Sequence, residues 1–223
     1  TTQLGLITSQ QLRVLGCTWQ TERKAIASGR LREISRRVRQ LGSIRVRGQT
    51  AMAAVLDSGG DTVLSHSTAA AWWGIAGFGL QNVEVTRSTR SSFKTALGAT
   101  HRVRLLPPSW VTELHGIPIV RPELCILQLC ATQPGRRAER ALDNAWSLRL
   151  LSCRSLMALL SQYGEMGRNG TAPLRSFVDA RGIDYTPPAS NLESRVLQVL
   201  GREGLGGFRA QVDSGADRWV GRV

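Results

Sequence analysis

Ser65-His66 is the pair whose types could do nucleophilic chemistry, with His66 as base and a neighbouring serine as nucleophile. No glycine-framed nucleophile elbow surrounds the serine. Ser65 also stands where a helix takes an N-cap, with His66 following in the first turn of an Ala/Trp-rich packing helix. The pair therefore reads as structural. Cys125 and Cys130 are five apart, about 140° around a helix axis. With no Cys-x-x-Cys and no His pair at i, i+4, they read as buried thiols and not as metal ligands. No stretch fits the phosphate-cradling G-x-x-x-x-G-K-S/T loop. No metal and no cofactor are expected. Trp72-Trp73 could stack on exposed bases. Adjacent helical residues diverge by about 100°, so both cannot face one ligand equally, and at least one belongs to a core.

What remains is positive charge. The 223 residues hold 29 Lys plus Arg against 16 Asp plus Glu, a net of +13. Such an excess favours partners dense in negative charge, first nucleic acid and then anionic lipid. The skew to arginine (27, with only Lys24 and Lys94 as lysines) also arises from GC-rich codon usage, so position is the better guide. Residues 1–50 hold 10 basic and 2 acidic residues, residues 51–190 hold 14 and 10, and residues 191–223 hold 5 and 4. The excess is concentrated in the first fifty residues, which form a distinct unit. A hydrophobic fraction of 42% supports packed cores and argues against a disordered basic tail. No run approaches the roughly 18 apolar residues of a membrane span. The opening Thr1-Thr2-Gln3-Leu4 lacks a signal-peptide pattern. Four scattered cysteines do not make a disulfide scaffold. A cytoplasmic protein is the expectation.

The elements that must carry the charge can be read from their caps. Thr8-Ser9-Gln10-Gln11 fits a capping box, Leu12 and Leu15 give a short apolar face, and Gly16 ends the helix. Thr18 then caps a second helix to about Ser28, stopped by Gly29, with Trp19 and Ile26 predicted inward and Gln20, Arg23 and Lys24 outward. Residues 31–41 read as two short strands around an arginine-rich tip. Two helices, a tight turn and a basic hairpin outline a winged helix-turn-helix, whose second helix suits the major groove. The candidate DNA contacts are Thr18, Gln20, Arg23 and Lys24 on that helix, Arg36, Arg37 and Arg39 on the wing, and Arg13 as a supporting phosphate contact.

Gly5-Leu6-Ile7-Thr8, Gln11-Leu12, Gly16 and Ser28-Gly29-Arg30-Leu31 resemble the winged-helix domain of AbiEi-family antitoxin-like regulators. So do Val63 to Gly74, His115 to Pro122 and Glu139-Arg140-Ala141-Leu142-Asp143. The resemblance spans most of the chain. It implies a type IV toxin–antitoxin antitoxin, or a stand-alone relative, that binds promoter DNA and represses transcription. Two departures stand out. The wing reads Arg36-Arg37-Val38-Arg39 where the family has Arg-Gly-Val-Tyr, and Glu22 occupies a usually apolar helix position. The resemblance attaches no reaction to the Ser65-His66 stretch.

Beyond the wing, helices are predicted over 50–57, 65–73, 123–131, 136–148, 153–163 and 173–180, and strands over 82–86, 102–106 and 117–120. Arg87, Arg90, Lys94, Arg102 and Arg104 form a second basic cluster that reads as a solvated loop. Residues 184–189 read as a linker. Ser190-Asn191-Leu192-Glu193 is a capping box opening a helix with Leu192, Val196, Val199 and Leu200 on one face. Strands are predicted over 208–212 and 218–223. This last segment, through Ser190-x-Leu192-Glu193, Gly204-Leu205 and Gly221-Arg222-Val223, resembles the opening of a very-short-patch-repair-like endonuclease of the restriction-endonuclease-like superfamily. In that family a metal-binding Asp follows Gly-Arg-Val, then a Glu-x-Lys pair. The only Glu-x-Lys here is Glu22-Arg23-Lys24, on the recognition helix, so the chain as given is not expected to cut DNA. Glu193 reads as a capping-box residue.

The expected class is α+β: a winged helix-turn-helix at 1–48, a mixed α+β domain with a helical second half at 49–184, and an incomplete restriction-endonuclease-like segment at 185–223. The expected function is a DNA-binding transcriptional regulator of antitoxin type, with double-stranded DNA as partner and a cognate toxin or self-association besides. The alternative is the targeting portion of a Mg-dependent DNA endonuclease whose catalytic residues lie beyond Val223.

Overall fold

The structure, a computed structural model, describes residues 3–42, 45–88, 95–164, 168–181, 185, 191–205, 213–214 and 221–222. The chain opens with β1 (Leu6–Thr8), α1 (Ser9–Val14), α2 (Trp19–Ala27), β2 (Leu31–Glu33) and β3 (Val38–Leu41). Thr8 and Gln11 form the capping box of α1, and Thr18 Oγ1 accepts the Thr21 amide at the start of α2. Between the helices Gly16 sits at φ +80°, with its amide on the Arg13 carbonyl and the Cys17 amide on the Leu12 carbonyl. This is a Schellman stop, which needs a left-handed residue and so a glycine. β2 and β3 make the wing hairpin, and β1 pairs antiparallel with the far edge of β3.

A second sheet, also antiparallel in part, follows. Its strands are β4 (Val63–Leu64), β5 (Glu84–Ser88), β6 (Ala99–Val103), β7 (Val111–Leu114) and β8 (Ile117–Val120), ordered β6-β5-β4-β8-β7. α3 (Gln49–Ser58) packs against β1 and β3 as well as β4 and β8. α4 (His66–Trp72) lies beside β5. Met52, Leu64, Val85, Ile117 and Ile119 form the core. Residues 1–72 and 78–121 group as one unit. Charge sets the first 48 residues apart, whereas packing joins them to the second sheet, because α3 serves both.

Residues 73–77 and 122–223 form the other unit. Its helices are α5 (Pro122–Thr132), α6 (Gly135–Ser147), α7 (Cys153–Tyr163), α8 (Thr171–Arg181) and α9 (Asn191–Arg202), followed by the paired β9 (Asp213–Ser214) and β10 (Gly221–Arg222). α5 is buried on every side from Pro122 to Cys130, as a central helix must be if it is apolar all round. α6, α7 and α8 pack on it. Gly170, at φ +86°, lets the start of α8 approach α5. A Cβ there would stand 2.4 Å from the Leu127 carbonyl oxygen. Gly170→Ala is expected to lower stability by about 2–3 kcal/mol, through left-handed strain and a backbone clash, read as a shifted urea midpoint with unchanged slope.

The mixed α+β class is as expected, and the helices fall within a residue or two of their predicted limits. The strands predicted over 82–86 and 102–106 lie at 84–88 and 99–103. β1, β4 and β7 were not anticipated. Arg90, Lys94, the residues of the 184–189 linker other than Tyr185, Ser190 and the strand predicted over 208–212 lie outside the described residues. So does all of the 218–223 strand but Gly221-Arg222.

Candidate functional site

α2 presents almost its whole circumference to solvent. Gln20, Arg23 and Lys24 are exposed, as their spacing predicts, and so is the cap residue Thr18. Trp19 departs from its predicted inward place: it is 59% exposed, and the Arg23 guanidinium stacks 4.7 Å above its ring. Such a cation–π contact holds an otherwise floppy arginine in an extended pose. Ile26 is half-buried. The buried residue of α2 is Glu22, at 3% exposure.

Glu22 explains two further departures. Arg39, predicted as a wing contact with DNA, is itself buried, and its Nε donates to Glu22 Oε1 at 2.8 Å. Its Nη1 donates to the Ser35 carbonyl. Arg39 is therefore withdrawn from the contact surface and ties the wing to α2. Arg13, exposed at the rim, donates to Glu22 Oε2 and, at 2.9 Å, to the Cys17 carbonyl. Ser9 Oγ also donates to Glu22. Burial opposes ionisation of Glu22, but these hydrogen bonds and the two guanidinium charges outweigh it and hold the carboxyl below its usual range. The one buried acid of α2 is thus compensated by two arginines, one from the wing and one from α1.

Arg36 and Arg37 remain exposed at the wing tip. The tip is braced from behind. Ser35 Oγ accepts the amides of Arg37 and Val38 and donates to the buried Asp57 carboxylate of α3. Arg37 Nη1 reaches the Asp57 carbonyl. A short wing fixed at its base presents its charges in one place.

A second constellation lies on α4, β5 and β6. The Ser65 carbonyl accepts the Ala69 amide, as a cap residue's should, but its hydroxyl meets His66 Nδ1 at 3.0 Å and does not cap the helix. That task falls to Glu84, whose Oε2 accepts the Ser67 amide at 2.9 Å. Glu84 Oε1 takes a 3.0 Å hydrogen bond from His101 Nε2. The His66 and His101 rings stack with centroids 3.7 Å apart. His66 is held at φ +51°, a left-handed conformation that costs an L-residue about 1–2 kcal/mol. Burial, reinforced by the charge of His101, pushes its pKa down to about 4, although Glu84 opposes this. Glu84 and His101 were not foreseen as partners of His66. Strand pairing brings Glu84 and His101 together across 17 residues, which no local spacing in the sequence signals.

Trp72 is half-buried, with Nε1 on the Leu114 carbonyl and its ring edge-on to His115, which removes it as an open stacking platform. Cys125 and Cys130 are buried on α5, and burial pushes the Cys130 thiol up to about 12.

The class these elements define is a mixed α+β protein with a basic helix-turn-helix and wing at its start. No protein-family model and no curated protein matches the chain. Among solved structures, it is similar to the crystal structure of the RV2827C protein from Mycobacterium tuberculosis, with a TM-score of 0.51 and 14% identity over 88% of this chain and 89% of that one. At that identity the likeness is one of fold.

Proposed function

We propose that the chain is a DNA-binding transcriptional regulator of the AbiEi antitoxin-like kind, which sets α2 into the major groove and rests the wing tip on phosphates. The observation that supports this best is the outward face of α2. Gln20, Arg23 and Lys24 stand together on a helix whose inward side is pinned by one buried carboxylate. Arginine and glutamine are the side chains suited to guanine and adenine edges, and Lys24 adds a phosphate contact. Arg36 and Arg37 supply the wing contacts. Arg39 supports these from within, and Arg13, exposed at the rim, adds a supporting phosphate contact.

The test is binding to the duplex upstream of the protein's own gene across a salt series. Affinity is expected to fall steeply with salt, and Arg23→Ala with Lys24→Ala to weaken binding at least tenfold while leaving the circular dichroism unchanged. Equal affinity for every duplex would reject a repressor.

A further inference from the structure

We propose that His66, Glu84 and His101 form a binding site for one zinc ion. One ligand-capable atom from each lies within 4.8 Å of the other two. Two imidazoles and a carboxylate are a donor set zinc accepts, with a fourth position left for water. The geometry is half formed already. Bonds of about 2.0–2.1 Å in a tetrahedral site put neighbouring ligand atoms about 3.3 Å apart. His101 Nε2 and Glu84 Oε1 stand 3.0 Å apart. The ion would take the place of the hydrogen between them, His101 then carrying its proton on Nδ1. His66 stacks its ring face on His101, with centroids 3.7 Å apart, so it completes the set only by turning a ring nitrogen toward the ion.

The surroundings suit a ligand set better than a simple packing contact. Ser65 Oγ lies against His66 Nδ1, and the tautomer that donates to it carries the lone pair on Nε2. Glu84 is oriented by the Ser67 amide through its other oxygen, and the Thr68 hydroxyl accepts its backbone amide. The left-handed backbone at His66 is what aims that ring at His101. A metal here would pin the start of α4 to β5 and β6, the pair of strands at one edge of the five-stranded sheet.

The test is titration of the chelator-stripped full chain with zinc chloride by calorimetry, with the ring-nitrogen NMR shifts of the three histidines followed in parallel. One equivalent is expected to bind, moving His66 and His101 and leaving His115 in place. His101→Ala is expected to bind at least tenfold more weakly. Glu84→Gln, which keeps an oxygen for the Ser67 amide, is expected to do the same with its fold intact by circular dichroism. Substitution with cobalt is expected to give a tetrahedral visible spectrum without a thiolate charge-transfer band, separating this site from the cysteines. Failure of the wild-type chain to bind an equivalent, shifts at His115 alone, or unchanged affinity in both variants would overturn the assignment.

Discussion

Glu22→Ala is expected to cost about 3–5 kcal/mol of stability, because it leaves the buried Arg39 guanidinium without its carboxylate. Arg13 loses the same partner. The loss should appear as a lower urea midpoint. Glu22→Leu combined with Arg39→Met should recover most of the stability, since well-packed apolar residues often equal a buried ion pair. The effect of pH distinguishes the charge from mere packing. The folded-state carboxyl ionises below the unfolded one, whose pKa is about 4.3. Its stabilisation is therefore complete above that value and is lost as pH falls through the depressed folded pKa. The stability gap between wild type and Glu22→Ala should be full and constant above pH 5 and narrow as pH falls below it, as denaturation curves at several pH values will show.

The second large effect is expected at the opposite end of the chain. Arg181, at the end of α8, is clamped by Asp143 of α6 through Nε–Oδ1 at 2.7 Å and Nη2–Oδ2 at 2.9 Å, with Glu139 a further acceptor at 3.1 Å. Both Asp143 and the Arg181 side chain are buried. Asp143→Ala is expected to cost about 3–5 kcal/mol, and Asp143→Asn less, because an amide oxygen can still accept from the guanidinium. Tyr185 offers an independent readout. Its hydroxyl donates to Asp143 Oδ1, and burial followed by the Asp143 charge pushes its pKa above the ordinary tyrosine value. Without that charge, the neighbouring Arg181 pulls the phenol down, so tyrosinate absorbance should rise at lower pH in Asp143→Ala.

The helices were legible because their ends are written locally. Thr8 with Gln11, Thr18 with Thr21 and Ser152 with Ser155 each satisfy an orphan amide within one turn, and α7 spans the predicted 153–163. The strands were less so. β4 has two residues, and what makes it a strand is pairing with Thr86 and Val85 on one side and Ile119 on the other. β5 and β6 shifted by two and three residues because their limits follow a parallel register, Glu84 opposite Ala99 to Ser88 opposite Val103, that alternation alone does not encode. The exposed face of α2 could be read from spacing. Its buried side could not, because a rule that sends charge outward fails when the charge has two guanidiniums waiting 9 and 17 residues away. The compensation of Glu22 by Arg39 required the fold.

The division of the chain has a consequence for how it is born. Everything the first unit needs has been translated once Arg121 has emerged, whereas Trp73–Gly77 belong with helices made later. That short stretch must wait on the ribosome, its Ala76 amide and Gly77 carbonyl without partners until Asn144 and Arg137 arrive. Folding is thus expected to be vectorial, with the basic module complete first. Truncation after Arg121 would yield a module carrying an orphaned insert. A five-residue Gly/Ser bridge in place of Trp73–Gly77 is the cleaner way to make the first unit alone.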